Sequence, residues 1–144
     1  MPACFALPGE FGSGANTNCR VSNSAAVGVQ CVNAGFSQFE SDTVTACAGF
    51  PLRIAAPHVA TVGTGNSFTG NARDAIEVVA GDITRSAQWR NQGVPYAVNG
   101  VIEVGSADEP VLSVGVGTVI SFSAGSGLAV GRNQRATLLA VGEP

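Results

Sequence analysis

Short apolar runs recur at near-even intervals through the C-terminal part of the chain. They begin at Val101, Val111, Val119, Leu128 and Leu138, in steps of 10, 8, 9 and 10 residues, and the gaps are filled by Gly, Ser, Asn, Pro and charged residues. A near-constant step of this kind is an internal repeat. Within Val101-Ile102-Glu103-Val104, Val111-Leu112-Ser113-Val114, Val119-Ile120-Ser121-Phe122 and Leu128-Ala129-Val130, apolar and polar positions alternate with the period of half-buried strands. The pattern places Val101 or Ile102, Leu112, Val114, Ile120, Phe122, Leu128 and Val130 inward, and turns Glu103, Ser113 and Ser121 to water. Trp89 and Tyr96 flank the turn Asn91-Gln92-Gly93-Val94-Pro95, and their rings are expected to close the N-terminal end of the stack.

The N-terminal half shows weaker patterning. Ala25 to Val32 and Asp42 to Cys47 have strand-like composition, and Pro51 to Pro57 reads as a short edge strand bounded by prolines. Asn71 to Val79 could start as a capped helix, but Ile76-Glu77-Val78-Val79-Ala80 before Gly81-Asp82 favours a strand and turn. The turn-rich stretch from Thr61 to Gly70 suggests a boundary. Residues 1–70 would then form a Cys-containing β-rich segment and residues 71–144 the repeat, unless both belong to one continuous domain. The expected fold class is all-β.

Composition narrows the chemistry. The chain has 144 residues, 12% of them charged, with 19 Gly and a net charge of −3. Lys is absent and seven Arg lie scattered from Arg20 to Arg135, so the clustered positive charge that nucleic acid demands is missing. No window is long and apolar enough to suggest a transmembrane segment. The start, MPACFALPGEF, has neither a basic n-region nor an apolar h-region, so a secretion signal is not expected in the chain as given. Cys4, Cys19, Cys31 and Cys47 lack the close pairs of a zinc site, and their even number in a Gly/Asn/Ser-rich segment fits two disulfides of open connectivity. The alternative is buried free thiols in a reducing compartment. Disulfides point to an extracellular or cell-surface location.

No catalytic signature emerges, and neither an enzyme nor a cofactor is expected. His58, the single histidine, has no nucleophile beside it. Asp108 and Glu109 are adjacent and read as a solvated turn, while Asp74 and Glu77 are expected to pair with Arg73 and Arg85. The GxG triplets continue to no phosphate-binding motif. Only Thr43-Val44-Thr45 fits the Thr-x-Thr ladder of an ice-binding solenoid.

The succession GDITRSAQWRNQGVPYAVNGVIEV, then PVLSVGVGTVISFSAGSGLAV, then ATLLAVGEP, resembles right-handed parallel β-helix proteins of bacterial surfaces over residues 76–144. The resemblance implies a short right-handed parallel β-helix, or β-solenoid, preceded by the Cys-containing segment. It departs from the family where further coils would follow Gly142-Glu143-Pro144. A last rung without a successor leaves open strand edges, here Leu138, Leu139, Ala140 and Val141. These edges lead to the expectation of a structural protein that self-associates head to tail, as a filament subunit. The alternatives are an adhesin or carbohydrate-binding module of a longer surface protein, with surface polysaccharide as partner, and a phage appendage component.

Overall fold

The computed structural model describes residues 15–143. It is all-β apart from one 3-10 helix, and its strands stack in parallel coils as a β-solenoid. In chain order the strands are β1 Ala15–Thr17, β2 Arg20–Ser22, β3 Val29–Cys31, β4 Gln38–Glu40, β5 Thr43–Thr45 and β6 Leu52–Ala55. The 3-10 helix Ala56–Thr61 comes next. It is followed by β7 Ile76–Ile83, β8 Ala87–Trp89, β9 Tyr96–Val104, β10 Val111–Val114, β11 Ile120–Phe122, β12 Gly127–Val130 and β13 Thr137–Ala140.

Every strand pairing among the described residues is parallel, each strand lying on the one a coil earlier. Leu52 lies opposite Ile76 and Tyr96 opposite Ile120, each 24 residues on, so one coil spans two or three of the short steps seen in the sequence. The longest sheet runs β3, β6, β7, β9, β11, with β12 also paired to β9. Because β6 pairs with β7, the strands on either side of residues 61–70 belong to one sheet. The stretch Pro51 to Pro57 is therefore not an edge: β6 is held by β3 on one side and β7 on the other.

Small β-branched side chains suit this geometry, because each inward position meets its equivalent one coil away and must fit a narrow interior. Val29, Leu52, Ile76 and Tyr96 form one such column and Cys31, Ile54, Val78 and Val98 the next, all buried. Phe36, Phe39 and Phe68 fill the N-terminal coils, with ring centroids 4.5 Å and 6.1 Å apart. Trp89 and Tyr96 pack at 5.3 Å. Both are fully buried midway along the stack, with coils before and after them, so they do not close its N-terminal end. Their size fills the interior where the coil shortens, since Ile76 and Tyr96 are only 20 residues apart yet face each other. Burial of the Tyr96 ring raises its hydroxyl pKa, and that hydroxyl donates to the Arg90 carbonyl at 2.6 Å.

The cysteines depart from expectation. Cys31 and Cys47 are free, buried thiols, one in the inward column of β3 and the other at a coil corner, so the pairing of all four cysteines into two disulfides does not form. Both occupy positions that a small apolar side chain would fill. Cys4 lies outside the described residues. Glu77 pairs with Arg53 one coil earlier at 3.3 Å rather than with Arg73 or Arg85. Arg73 instead lies 5.1 Å from the centre of the Phe50 ring, and Asp74 accepts the Asn71 and Gly70 amides, which lower its pKa.

Candidate functional site: the open C-terminal rung

The last rung consists of β11, β12 and β13, which pair with β9, β9 and β10 respectively and have no strand on their far side among the described residues. Registration gives the direction of each side chain. Ile120 and Phe122 lie over buried Tyr96 and Val98, Leu128 and Val130 over Ile102 and Val104, and Leu138 over Leu112. The inward assignment of Ile120, Phe122, Leu128 and Val130 from sequence holds, as does that of Ile102 rather than Val101, but among the described residues no further strand covers this rung. Leu112 is 0% exposed, whereas Phe122 is 47% and Leu138 44% exposed. The rung thus ends the core in an apolar floor.

The backbone repeats one rule along the stack. Inward residues donate forward to the next coil: Val29 N–H to Pro51, Val44 to Ser67, Ile76 to Pro95 and Tyr96 to Val119. Residues a step out of phase donate backward, as Thr137 does to Pro110 and Gly131 to Val104. In-plane amide direction and side-chain direction share the two-residue period of a strand. The amides of Ile120, Phe122, Leu128, Val130, Leu138 and Ala140 therefore face the open edge. Of the four residues expected to form that edge, Leu138 and Ala140 present amides to it. Leu139 shares the backward direction of Thr137, and its exposed side chain points outward. Val141 lies just beyond β13 and is 62% exposed.

A second feature lies on the flank. Two adjoining shallow recesses between the 3-10 helix and β8 share Ala60, Ser86 and Ala87 and form one groove. Its polar lining comprises His58, Thr84, Arg85, Ser86, Gln88, Arg90 and Ser113, and no lining residue is acidic. Arg90 is anchored by a hydrogen bond to the Ala60 carbonyl at 3.4 Å. Sequence reading set His58 aside as an isolated residue, because only folding brings it beside Arg85.

Asp108 and Glu109 form an exposed turn in which Glu109 lies 3.4 Å from Arg135. Among the described residues no group of three His, Cys, Asp or Glu side chains is placed to hold a metal ion. No helix there is long and apolar enough to cross a membrane. No family model, curated protein or solved structure matches this chain.

Proposed function

We propose that this chain is a structural β-solenoid that associates with copies of itself, its C-terminal rung receiving the first rung of the next copy by strand pairing. The supporting observation is the coincidence at that rung of uncovered inward side chains, Phe122 and Leu138 foremost, with forward-facing amides. Burying the floor removes apolar surface from water, worth roughly 25 cal/mol per Å². Pairing the edge satisfies amides whose equivalents in every earlier coil are bonded. A contact between unlike ends is heterologous and open, so it builds a filament rather than a closed ring. The extracellular location expected from four paired cysteines loses Cys31 and Cys47 as support.

Sedimentation velocity over a range of concentrations, with negative-stain microscopy of the same samples, tests the proposal. Unbranched rods that dissociate on dilution are expected, and Phe122→Arg should yield monomers with an unchanged circular dichroism spectrum. A wild-type chain that stays monomeric at high concentration would overturn it and favour further coils of a longer polypeptide as the natural cover.

The groove favours a second reading, that of a module binding an acidic surface polysaccharide. Arg85 and Arg90 sit with hydroxyl and amide side chains in a depression without acidic residues. Arginine forks suit carboxylate groups. Titration calorimetry with a polyuronate should show binding that weakens about tenfold in Arg85→Gln, the loss of one charge-assisted contact. Equal affinity for a neutral glucan would sink this reading.

A further inference from the structure

The corners of the N-terminal coils are built by asparagines that follow one hydrogen-bonding scheme. Asn66 accepts the amide of Asp42, in the preceding coil, on Oδ1 at 3.0 Å. Its Nδ2 donates to the carbonyls of Phe39, in the preceding coil, and Gly63, three residues back, both at 3.2 Å. Asn71 repeats this at the next corner. Its Oδ1 accepts the Cys47 amide at 3.0 Å, and its Nδ2 donates to the carbonyls of Val44 and Phe68, both at 3.0 Å. In each case the oxygen satisfies an amide and the nitrogen donates to two carbonyls, one in its own coil and one in the preceding coil; of these, the Phe39 carbonyl also accepts the Gly63 amide.

Asp42 occupies the same corner one coil before Asn66. Arg20 pairs with Thr43, and Thr43 with Ser67, so Cys19, Asp42 and Asn66 stand in one column. Asp42 begins the scheme as an asparagine would, accepting the Cys19 amide on Oδ1 at 2.7 Å. Its Oδ2 then holds the place of the amide nitrogen, yet the residue is 2% exposed and Oδ2 has no hydrogen-bond partner. By the scheme, that place faces the carbonyl three residues back, at Phe39, and the carbonyl at the preceding-coil position Asn16, which lies opposite Phe39. An ionised oxygen there sets acceptor against acceptor, whereas a carboxylic acid supplies the missing donor.

We propose that Asp42 is a proton-dependent latch for the N-terminal coils: with a proton on Oδ2 it completes the corner as Asn66 and Asn71 do, and ionisation removes the donor and loosens the corner. The other charged groups on the elements packed around it are Glu40 on β4 and Arg20 at the start of β2, both exposed; the turn 63–67 contributes none. Burial raises the pKa of Asp42, and the Cys19 and Glu40 amides act against it. The sign follows. A carboxyl whose folded pKa exceeds its unfolded value favours the fold most when protonated. That stability is lost as pH rises from about 4, the ordinary aspartate value, and the loss levels off above the folded-state pKa.

Thermal denaturation of the full chain and of Asp42→Asn at pH 4 and pH 7 reads the latch. Asparagine supplies the donor at every pH, so the variant should melt about 2–4 °C higher than wild type at pH 7, and the gap should shrink at pH 4. A variant that melts lower than wild type by the same margin at both pH values would overturn the latch. A second measurement holds even if the variant fails to fold. Carbon-detected NMR titration of the wild-type Asp42 carboxyl should give a pKa above the ordinary aspartate value, and a value at or below it would overturn the proposal.

Discussion

At the scale of the residue, stability in this solenoid depends on polar side chains that close the corners between short strands. Asn71 satisfies three backbone groups at once, two carbonyls and the Cys47 amide. Truncation to alanine strands groups that lie partly out of water, and each unmade bond costs about 1–3 kcal/mol. Asn71→Ala is therefore expected to lower the unfolding free energy by about 2–4 kcal/mol, allowing for partial solvation of the freed groups. Urea denaturation measures it, and a loss below about 0.5 kcal/mol, the range of an ordinary surface substitution, would show that water replaces the amide. The same reasoning accounts for the free thiol of Cys47: it shares a corner column with Asn71 one coil on, as Asp42 does with Asn66, so its place in the sequence follows the coil rather than a disulfide framework.

At the scale of the element, strands have to bend where one face of the coil gives way to the next. β7 does so at the irregularity between Val79 and Gly81, and β9 at Gly100, whose φ of 107° lies in a region that L side chains avoid. A Cβ at Gly100 would also stand 2.7 Å from the Ala80 Cβ, whereas one at Gly125, also at positive φ, would meet nothing within 4 Å. Gly100→Ala is thus expected to cost about 1–3 kcal/mol, the range for a strained backbone, and Gly125→Ala clearly less, as paired thermal melts will register. Legibility in the sequence tracked strand length and alternation. The strands between Val101 and Ala140 announced themselves because their inward and outward residues differ strongly in polarity. β1 to β5 are three residues each, with one or two inward positions apiece, too few to establish a period of two. Their signal lies in equivalences 23 or 24 residues apart, such as Val29, Leu52 and Ile76, which a search for 8-to-10-residue steps passes over.

At the scale of the whole molecule, the short step and the coil are two readings of one periodicity, so the β-solenoid was legible while its extent was not. The family resemblance covers residues 76–144, yet the stack already includes β1, and Trp89 and Tyr96 lie well inside it. The open rung was foreseeable from the last apolar runs. The direction of its amides was not, because it depends on which neighbour each strand already has. The groove was invisible for a related reason: the chain separates His58 from Arg85 and Arg90, and only coiling returns the path to the same flank. The proposed filament contact and the proposed polysaccharide groove lie on different surfaces, so Phe122→Arg and Arg85→Gln test them separately in one preparation.

The forward direction of the inward strand amides has a further consequence. Between successive coils inward amides donate onward and outward amides donate back, so the molecule is an arrow, with a trailing tip and a leading tip that are chemically unlike. A polymer of such arrows inherits their orientation: subunits would join its two tips at different rates, and a fragment used as a seed would lengthen chiefly from one side.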